Sequence, residues 1–169
     1  MVNNTVKRII QGFRIMDNTI LDEIDLTIIR ALSKNGKESY EKIANECGVT
    51  AQTISDRVKK LRNKKIITRF TIDVDPEKVN YPIEFICELD INASVMDDVL
   101  TILEQIEEIH IIKITTGIHD ILCLGNAQNI ENLHNIVERK ISTIPGVNKT
   151  YTSITLKKIK QNQILNFDT

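Results

Sequence analysis

The sequence contains few cysteines, few prolines and no long apolar run. Its three cysteines, Cys47, Cys87 and Cys123, are odd in number and widely spaced, which argues against a secreted disulfide framework and offers no CxxC pair for zinc. No apolar run approaches the roughly 20 residues of a membrane span, and the opening residues MVNNTVKRII lack the apolar centre of a signal peptide. We therefore expect a globular cytoplasmic protein without membrane contact, cofactor or structural metal, whose cysteines are small buried apolar residues.

Net charge is nearly absent, but the charges are unevenly distributed. The 169 residues carry a formal charge of -1. Residues 1–20 hold three basic and one acidic residue, residues 21–75 hold eleven and nine, and residues 76–169 hold eight and thirteen, which gives +2, +2 and -5. This asymmetry suits the N-terminal half, and not the C-terminal half, to a polyanionic partner.

The N-terminal half carries the pattern of three successive helices. Apolar residues recur at helical spacing from Leu21 to Leu32, and the KNG that follows supplies a stop. A second, short helix is predicted between a Ser39 cap and Gly48, and Thr50 can cap a third. Because only GV separates the second and third helices, the pattern is that of a helix-turn-helix.

The residues after the third helix favour β structure. The stretch KKIITRFTIDV, residues 64–74, is rich in β-branched side chains and predicts a strand pair or ribbon that Pro76 closes. We therefore assign residues 21–75 to a DNA-binding domain and residues 76–80 to a hinge. Residues 1–20 form an extension that is either a short helix, an arm near DNA or a frayed leader, and residues 161–169 form a tail.

The C-terminal half, residues 81–160, reads as β-α-β-β-α-β. Alternating apolar residues from Ile83 to Ile91 predict a strand with one buried face, and apolar residues at 95, 99, 102 and 106 predict a helix. IHIIKITT and DILCLG form two further strands around a turn at Gly117. Apolar residues at 130, 133, 137 and 141 predict a second helix, and VNKTYTSITLKKI the last strand. The fold class is thus α+β, with a ferredoxin-like sheet covered on one face by two helices.

The other face of this predicted sheet is also partly apolar. In DILCLG, apolar residues occupy both odd and even positions, so they point to both faces of the sheet. Ile111 is predicted to lie on the opposite face from Ile112 and Ile114 in its strand. A sheet with helices on one side only would leave this area exposed, so a second subunit is expected to cover it. We expect at least a homodimer.

The third helix has a basic outward face. Taking about 100° per residue from the inner line Ile54, Val58 and Leu61 brings a mixed polar and basic set to the surface. In a helix-turn-helix the N-terminal part of this face meets base edges, and flanking cations neutralise phosphates. The base-reading candidates are Gln52, Thr53 and Asp56, the phosphate-binding candidates are Lys59, Lys60, Arg62, Lys64 and Lys65, and Thr50, Ser55 and Arg57 complete the predicted DNA-binding set.

A basic run on its own is more often a solvated helix face than a nucleic-acid site. Here it follows a tight turn and leads into a β-rich stretch, and this coincidence favours contact with double-stranded DNA. Asp56 has two interpretations. It can pair with Lys60 at i,i+4, worth about 0.2–0.5 kcal/mol, or it can accept from the cytosine amino group in the major groove. The pair within the helix is the favoured one.

These features resemble the Lrp/AsnC (feast/famine) family of prokaryotic transcription regulators from about Leu21 to Lys160. The matching residues include Ile43-Ala44, Arg57-Val58, Ile66-Ile67 and Asp75-Pro76, with TTGIHD matching the glycine-centred turn of the second domain. The resemblance implies a winged helix-turn-helix domain, a ferredoxin-like RAM/ACT-like effector domain, and homodimers that often assemble into octamers. It also implies a palindromic DNA operator.

The family binds a free amino acid near the turn between the second and third strands. The carboxylate of an amino acid needs N–H or hydroxyl donors, which a glycine turn and threonines can supply, and its ammonium needs an acceptor such as Asp120. By resemblance, the effector-binding residues are Gly117, His119, Asp120, Thr150 and Thr152.

Three departures from the family pattern stand out. The chain has Asp56 where the family commonly has a basic residue, and Lys65 where the family commonly has a glycine after the third helix. It also has Lys37 where the family usually has an arginine before the second helix. Two other functions stay open. One is an enzyme like the sirohaem decarboxylases, which resemble the same two-domain fold, although no nucleophile with a neighbouring base is visible. The other is a DNA-organising protein of low sequence preference.

Overall fold

The computed structural model describes residues 21–160, which divide at Asp73 and Val74 into an N-terminal and a C-terminal unit. The extension expected at residues 1–20 and the tail at 161–169 lie outside the described residues. The N-terminal unit contains three helices, α1 (Glu23–Lys34), α2 (Tyr40–Cys47) and α3 (Ala51–Asn63). None of the helices within residues 21–160 is long and apolar enough to cross a membrane.

Side-chain caps set the beginnings of all three helices. Asp22 Oδ1 accepts a hydrogen bond from the backbone N–H of Asp25 at 2.9 Å. Ser39 and Thr50 cap α2 and α3 in the same way, each accepting from the backbone N–H three residues on at 3.2 Å. Gly48 ends α2 with a φ of 66°, a left-handed conformation that glycine adopts without steric cost. The predicted caps and the tight turn between α2 and α3 are confirmed.

Apolar side chains from all three helices form the core of the N-terminal unit. Ile28, Ile43 and Ile54 are completely buried, and Val58 and Leu61 on α3 are nearly so. Burying a side chain of this size stabilises the fold by about 1.5–3 kcal/mol. The inner face predicted for α3 is therefore confirmed, and it fixes which residues of that helix point outward.

Arg57 on α3 ties this helix to the beginning of α1. Its Nη1 lies 2.6 Å from Asp22 Oδ2 and 3.0 Å from Asp25 Oδ1. The hydrogen bond from the guanidinium lowers the pKa of the Asp22 carboxyl below its usual value. Arg57 therefore joins α3 to Asp22 and Asp25, which lie 35 and 32 residues before it in sequence.

The chain leaves α3 through a residue with a left-handed backbone. Lys65 has a φ of 57°, its N–H donates to the Arg62 carbonyl, and the Ile66 N–H donates to the Leu61 carbonyl. These two bonds form a Schellman motif, in which glycine is the preferred residue at the left-handed position. Lysine at this position costs about 1–2 kcal/mol because its Cβ approaches the following carbonyl oxygen.

The strand pair or ribbon expected at residues 64–74 is not present in the described chain, where residues 68–75 have no regular secondary structure. Residues 64–65 form a turn and residues 66–67 a bend, and no strand within residues 21–160 pairs with this segment. β-branched composition expresses a fit to a pleated surface rather than an intrinsic backbone preference. Phe70, Ile72 and Val74 in this segment are exposed.

The C-terminal unit has the predicted β-α-β-β-α-β order. After a 3-10 turn at Glu77–Val79, the chain forms β1 (Ile83–Ile91), α4 (Met96–Leu103) and β2 (Ile109–Ile114). It continues with β3 (Ile121–Ala127), α5 (Ile130–Asn135) with a wider π-helical turn at Ile136–Ile141, and β4 (Val147–Ile154). The four strands are antiparallel in the order β2-β3-β1-β4. The ferredoxin-like prediction is confirmed.

Each of the two predicted helix faces in this unit includes one residue that is exposed. On α4 the buried residues are Met96, Val99 and Leu103, whereas the predicted Ile102 is 41% exposed. On α5 the predicted Ile130 is 61% exposed, and the π-helical turn places both Ile136 and Val137 in the core. The predicted Leu133, Val137 and Ile141 are buried, and the wider turn adds Ile136 to the same face.

The sheet places two cysteines in its covered face. Cys87 on β1 and Cys123 on β3 are directly opposite each other and fully buried, which confirms their predicted role as small core residues. Burial raises the pKa of the Cys123 thiol to about 12. Cys47 is half-buried on α2.

On the uncovered face, Ile86, Ile111, Leu122 and Leu124 are all half-buried. The register pairs Ile111 with Leu124 and Ile86 with Leu124, so these side chains are neighbours. The expectation that Ile111 lies on the opposite face from Ile112 and Ile114 is confirmed, because the last two pack on the helix-covered core.

Replacing Lys65 with glycine is expected to raise the free energy of unfolding by about 1 kcal/mol, since glycine has no Cβ to strain in the left-handed region. Chemical denaturation of both proteins measures this difference. Lys64→Gly is the matched control, because Lys64 has a right-handed φ of -79° and gains nothing from glycine. A Lys65→Gly protein no more stable than the wild type would show that this position is not strained.

Arg57→Gln is expected to lower the free energy of unfolding near pH 7 by about 0.5–1 kcal/mol, because the lost ion pairs are partly exposed. The depressed pKa of Asp22 means that its pairing stabilises the fold above the usual carboxyl pKa and is lost as the pH falls below it. The difference between variant and wild type should therefore shrink between about pH 7 and about pH 3. Arg62→Gln, which breaks no ion pair of the described residues, is the control. A difference that does not change with pH contradicts this role.

Candidate functional site

The outward face of α3 is polar at its beginning and basic at its end. Gln52 and Asp56 are exposed in the first two turns, and Ser55 is half-buried beside them. The Thr50 and Thr53 hydroxyls lie 2.9 Å apart, and the Thr50 oxygen also caps the helix. The two threonine hydroxyls are thus engaged with each other, whereas Gln52 keeps polar atoms available at the surface.

The basic residues at the end of α3 fall into two groups. Within residues 21–160, Lys60, Arg62, Lys64 and Lys65 are exposed and form no ion pair with a carboxylate. The Arg62 guanidinium lies 6.0 Å from the centre of the Phe70 ring. Arg57, also predicted to contact DNA, instead has its guanidinium between Asp22 and Asp25. The free cations therefore lie at the C-terminal end of α3 and just beyond it.

The sequence favours a pair between Asp56 and Lys60. In the structure, Asp56 does not form this pair. Both of its carboxylate oxygens accept from the Gln52 side-chain amide nitrogen, each at 3.1 Å. Its Oδ1 also lies 3.5 Å from Lys59 Nζ. Residues at i,i+3 and i,i+4 are both neighbours on a helix, and here the flexible side chains select Lys59 and Gln52.

The turn between β2 and β3 is fixed at its two ends. The Thr115 N–H donates to the Asp120 carbonyl at 2.9 Å, and the Thr115 hydroxyl donates to the His119 carbonyl. Asp120 also fastens the turn to β1, because its N–H donates to the Leu89 carbonyl and its Oδ2 accepts from the Ile91 N–H, both at 2.9 Å. The predicted ammonium acceptor therefore already holds a backbone donor.

Between these ends the turn presents free backbone donors. The N–H groups of residues 116–119 donate to no acceptor within residues 21–160. Gly117 has no left-handed φ, and a Cβ added there would meet only Thr115 Oγ1, at 4.0 Å. Unpaired backbone N–H groups are donors available to an anionic ligand. Nothing in the described chain itself requires glycine at position 117.

His119 belongs to a cluster on the uncovered side of the sheet. Its Nδ1 lies 2.7 Å from Asp90 Oδ1, and the Tyr151 hydroxyl donates to Asp90 Oδ2 at 3.2 Å. The His119 and Tyr151 rings are 4.3 Å apart. The hydrogen bond from His119 lowers the pKa of Asp90 below its usual value. The sequence did not indicate Asp90 or Tyr151 as site residues.

The predicted threonines of β4 face the opposite side. Thr152 pairs with Cys87 in the sheet and donates to its Sγ at 3.6 Å, and Thr150 lies 3.3 Å from the Ser142 hydroxyl. Both therefore point toward the helix-covered face, whereas Tyr151 between them points toward His119. Within one chain, Gly117, His119 and Asp120 are brought together and the two threonines are not. The alternation of side chains along β4 was the signal that would have selected Tyr151.

Comparison with known proteins agrees with both halves of this architecture. The model of the AsnC-type helix-turn-helix domain matches residues 21–62, and that of the Lrp/AsnC ligand binding domain matches residues 84–165. The chain is 33% identical over 141 residues to the HTH-type transcriptional regulator Ptr1 of Methanocaldococcus jannaschii, which covers 83% of this chain and 95% of Ptr1.

Solved structures show the same fold. The structure of E. coli AsnC is 29% identical and superposes with a TM-score of 0.81, covering 86% of this chain and 98% of AsnC. A transcriptional regulator of Neisseria meningitidis in complex with L-Met is 21% identical with a TM-score of 0.82, covering 86% of this chain and 96% of that protein. From its two domains and these relatives, the chain belongs to the Lrp/AsnC family of helix-turn-helix transcriptional regulators.

Proposed function

We propose that the outward face of α3 lies in the major groove of double-stranded DNA, with its N-terminal end at base edges and its C-terminal cations on phosphates. The observation that carries this assignment is the group of exposed cations at Lys60, Arg62, Lys64 and Lys65, which lack carboxylate partners within the described residues. An unpaired cation is available to displace counterions from a phosphate backbone. Arg57 is outside this set, because its guanidinium stabilises the fold.

Lys65 supports the same assignment from its backbone. A left-handed lysine is less stable than glycine at this position, and its side chain forms no ion pair in the described chain. Local strain that brings no stability inside the fold is often retained for a function outside it. We infer that the charge of Lys65 is used on DNA.

The proposed regulator acts as a homodimer on a palindromic operator. The apolar uncovered face of the sheet and the exposed side chains of Phe70, Ile72 and Val74 are surfaces that a second copy of the chain can cover. In such a dimer, the two copies of α3 are related by a two-fold axis. The two half-sites of the operator should then lie about 10 base pairs apart or a multiple of that spacing. A regulator should also retain its site against a roughly 10³-fold excess of unrelated duplex, which a protein of low sequence preference would not.

We further propose an amino acid effector at the turn between β2 and β3. The N–H groups of residues 116–119, which have no acceptor within residues 21–160, suit a carboxylate, and the open space at Gly117 lets a ligand approach the backbone closely. Asp120 acts as a positioning residue by holding the turn against β1. The Neisseria relative bound to L-Met supports an amino acid, and both this relative and Ptr1 are named as transcriptional regulators rather than decarboxylases.

The phosphate assignment is tested by Lys60→Ala combined with Lys64→Ala. Each phosphate contact contributes about one unit to the slope of log affinity against log salt, so the double variant should bind every duplex more weakly with a slope smaller by about 2. Lys113→Ala with Lys157→Ala removes the same charge from the C-terminal unit and should leave the slope unchanged. An identical slope for the first pair and the wild type rejects the assignment.

The effector site is tested by Gly117→Ala in a thermal-shift titration with each of the twenty amino acids. One or more amino acids should raise the melting temperature of the wild type, and the variant should bind them at least about tenfold more weakly. Its melting temperature without ligand should stay within about 1 °C, because the added Cβ meets no atom closer than 4.0 Å. Gly36→Ala, where the nearest atom is 3.9 Å away in the other unit, is the control. Equal titrations of Gly117→Ala and wild type would place the effector elsewhere.

The dimer surface is tested by Leu124→Asp, which introduces a charge at the centre of the uncovered face. Because burying an unpaired carboxylate is strongly unfavourable, the variant should sediment as a smaller species than the wild type. Ile102→Asp, the same change at a 41% exposed site on α4, should keep the wild-type sedimentation coefficient. Unchanged sedimentation of a folded Leu124→Asp protein excludes this face from the interface.

A further inference from the structure

The side chains at the beginning of α3 are connected in a way that constrains which base they can read. Gln52 is exposed in the first turn, and its Nε2 donates to both Asp56 oxygens at 3.1 Å. We propose that Gln52 and Asp56 act as one base-reading unit, in which Asp56 orients the Gln52 carboxamide to select adenine. This inference rests on the proposed DNA-binding function of α3.

Asp56 fixes the polarity of the Gln52 amide. A carboxylate has no hydrogen to donate, so only the amide nitrogen of Gln52 can face it, and the amide oxygen must point away. Without this neighbour, a surface glutamine can present either end of its amide to a ligand. The pairing therefore leaves the acceptor Oε1 and the second hydrogen of Nε2 as the groups that Gln52 can offer to DNA.

This arrangement of acceptor beside donor matches one base edge. In the major groove adenine presents an N6 amino donor next to the N7 acceptor, which a glutamine amide contacts with two hydrogen bonds. Cytosine offers only its N4 donor, and guanine and thymine offer no donor there. A Gln52 with a fixed outward oxygen should therefore prefer adenine, accept cytosine weakly and reject guanine and thymine.

Asp56 itself is poorly placed to read a base. Its two oxygens already accept from Gln52, and Oδ1 lies near the Lys59 ammonium. The neighbouring positive charge of Lys59 also offsets the repulsion that a carboxylate would experience near phosphates. The alternative is that the Gln52–Asp56 contact only supports the helix, as i,i+4 pairs do, in which case it affects stability and not base preference.

The test is competitive binding of the full chain to duplexes that carry each of the four base pairs at every position of its selected site. At one position of each half-site the wild type should prefer adenine by about tenfold or more. In Asp56→Asn, whose amide cannot impose one orientation, this preference should fall to about twofold or extend to guanine, with preferences elsewhere unchanged. Gln52→Ala should lose the preference at the same position.

Lys59→Ala is the matched control, since it removes the other partner of Asp56 and should weaken all duplexes without changing base preference. The inference is overturned if Asp56→Asn leaves every preference intact, or if Asp56→Asn and Gln52→Ala act at different positions. A wild-type preference for cytosine that Asp56→Asn abolishes would show instead that Asp56 reads the base. Failure of the wild type to bind any duplex would reject the DNA-binding function itself, and with it this inference.

Discussion

Burial of Ile54, Val58 and Leu61 fixes the rotation of α3 about its axis, and each assignment on that helix depends on this rotation. The three side chains are 0%, 3% and 2% exposed. Their burial contributes several kcal/mol in total, whereas an exposed ion pair contributes about 0.2–1 kcal/mol. No rearrangement of surface charges can therefore turn the helix. Its outward face is set by the core, and the charged residues occupy the positions that remain.

The positions that remain are not equivalent. At the edge of the buried stripe, Arg57 has two carboxylates within reach and stabilises the packing of α3 on α1. Directly outward, Lys60 and the cations beyond it have no such partner in the described chain and keep their charge available. In the C-terminal unit, the hydrogen bonds of Asp120 hold a turn in which the N–H groups of residues 116–119 have no acceptor within residues 21–160. In both units a few structural contacts leave adjacent groups available for binding.

Much of the fold could be predicted because periodicity and capping are local properties. The predicted helix caps at Ser39 and Thr50 depend on residues within one turn, and the alternation along β1 depends on neighbours two apart. The failures arose where the determining partner is distant or irregular. The stretch at residues 64–74 has strand composition but no partner strand within residues 21–160, and the π-helical turn at Ile136–Ile141 adds Ile136 to the core beside the predicted Val137.

The sites were harder to predict for the same reason. Outward residues of α3 follow from one helix, whereas the partner of Arg57 lies 35 residues away and is visible only in the fold. Asp90 on β1 and Tyr151 on β4 lie beside His119, which is in the turn between β2 and β3. The three residues are far apart in sequence, so no sequence motif contains them. Side-chain rotamers added a further limit, because spacing allowed Asp56 to meet Lys60, Lys59 or Gln52 and could not select among them.

The central claim is that the outward face of α3 contacts DNA, and photo-crosslinking tests it most directly. A photoreactive amino acid at Asn63, which is exposed between Arg62 and Lys64 in sequence, is compared with the same group at the exposed Lys113 on β2. With full-length protein and its selected duplex, we predict crosslinks to DNA from position 63 and none from position 113. Crosslinks from position 113 in the absence of any from position 63 would contradict the account.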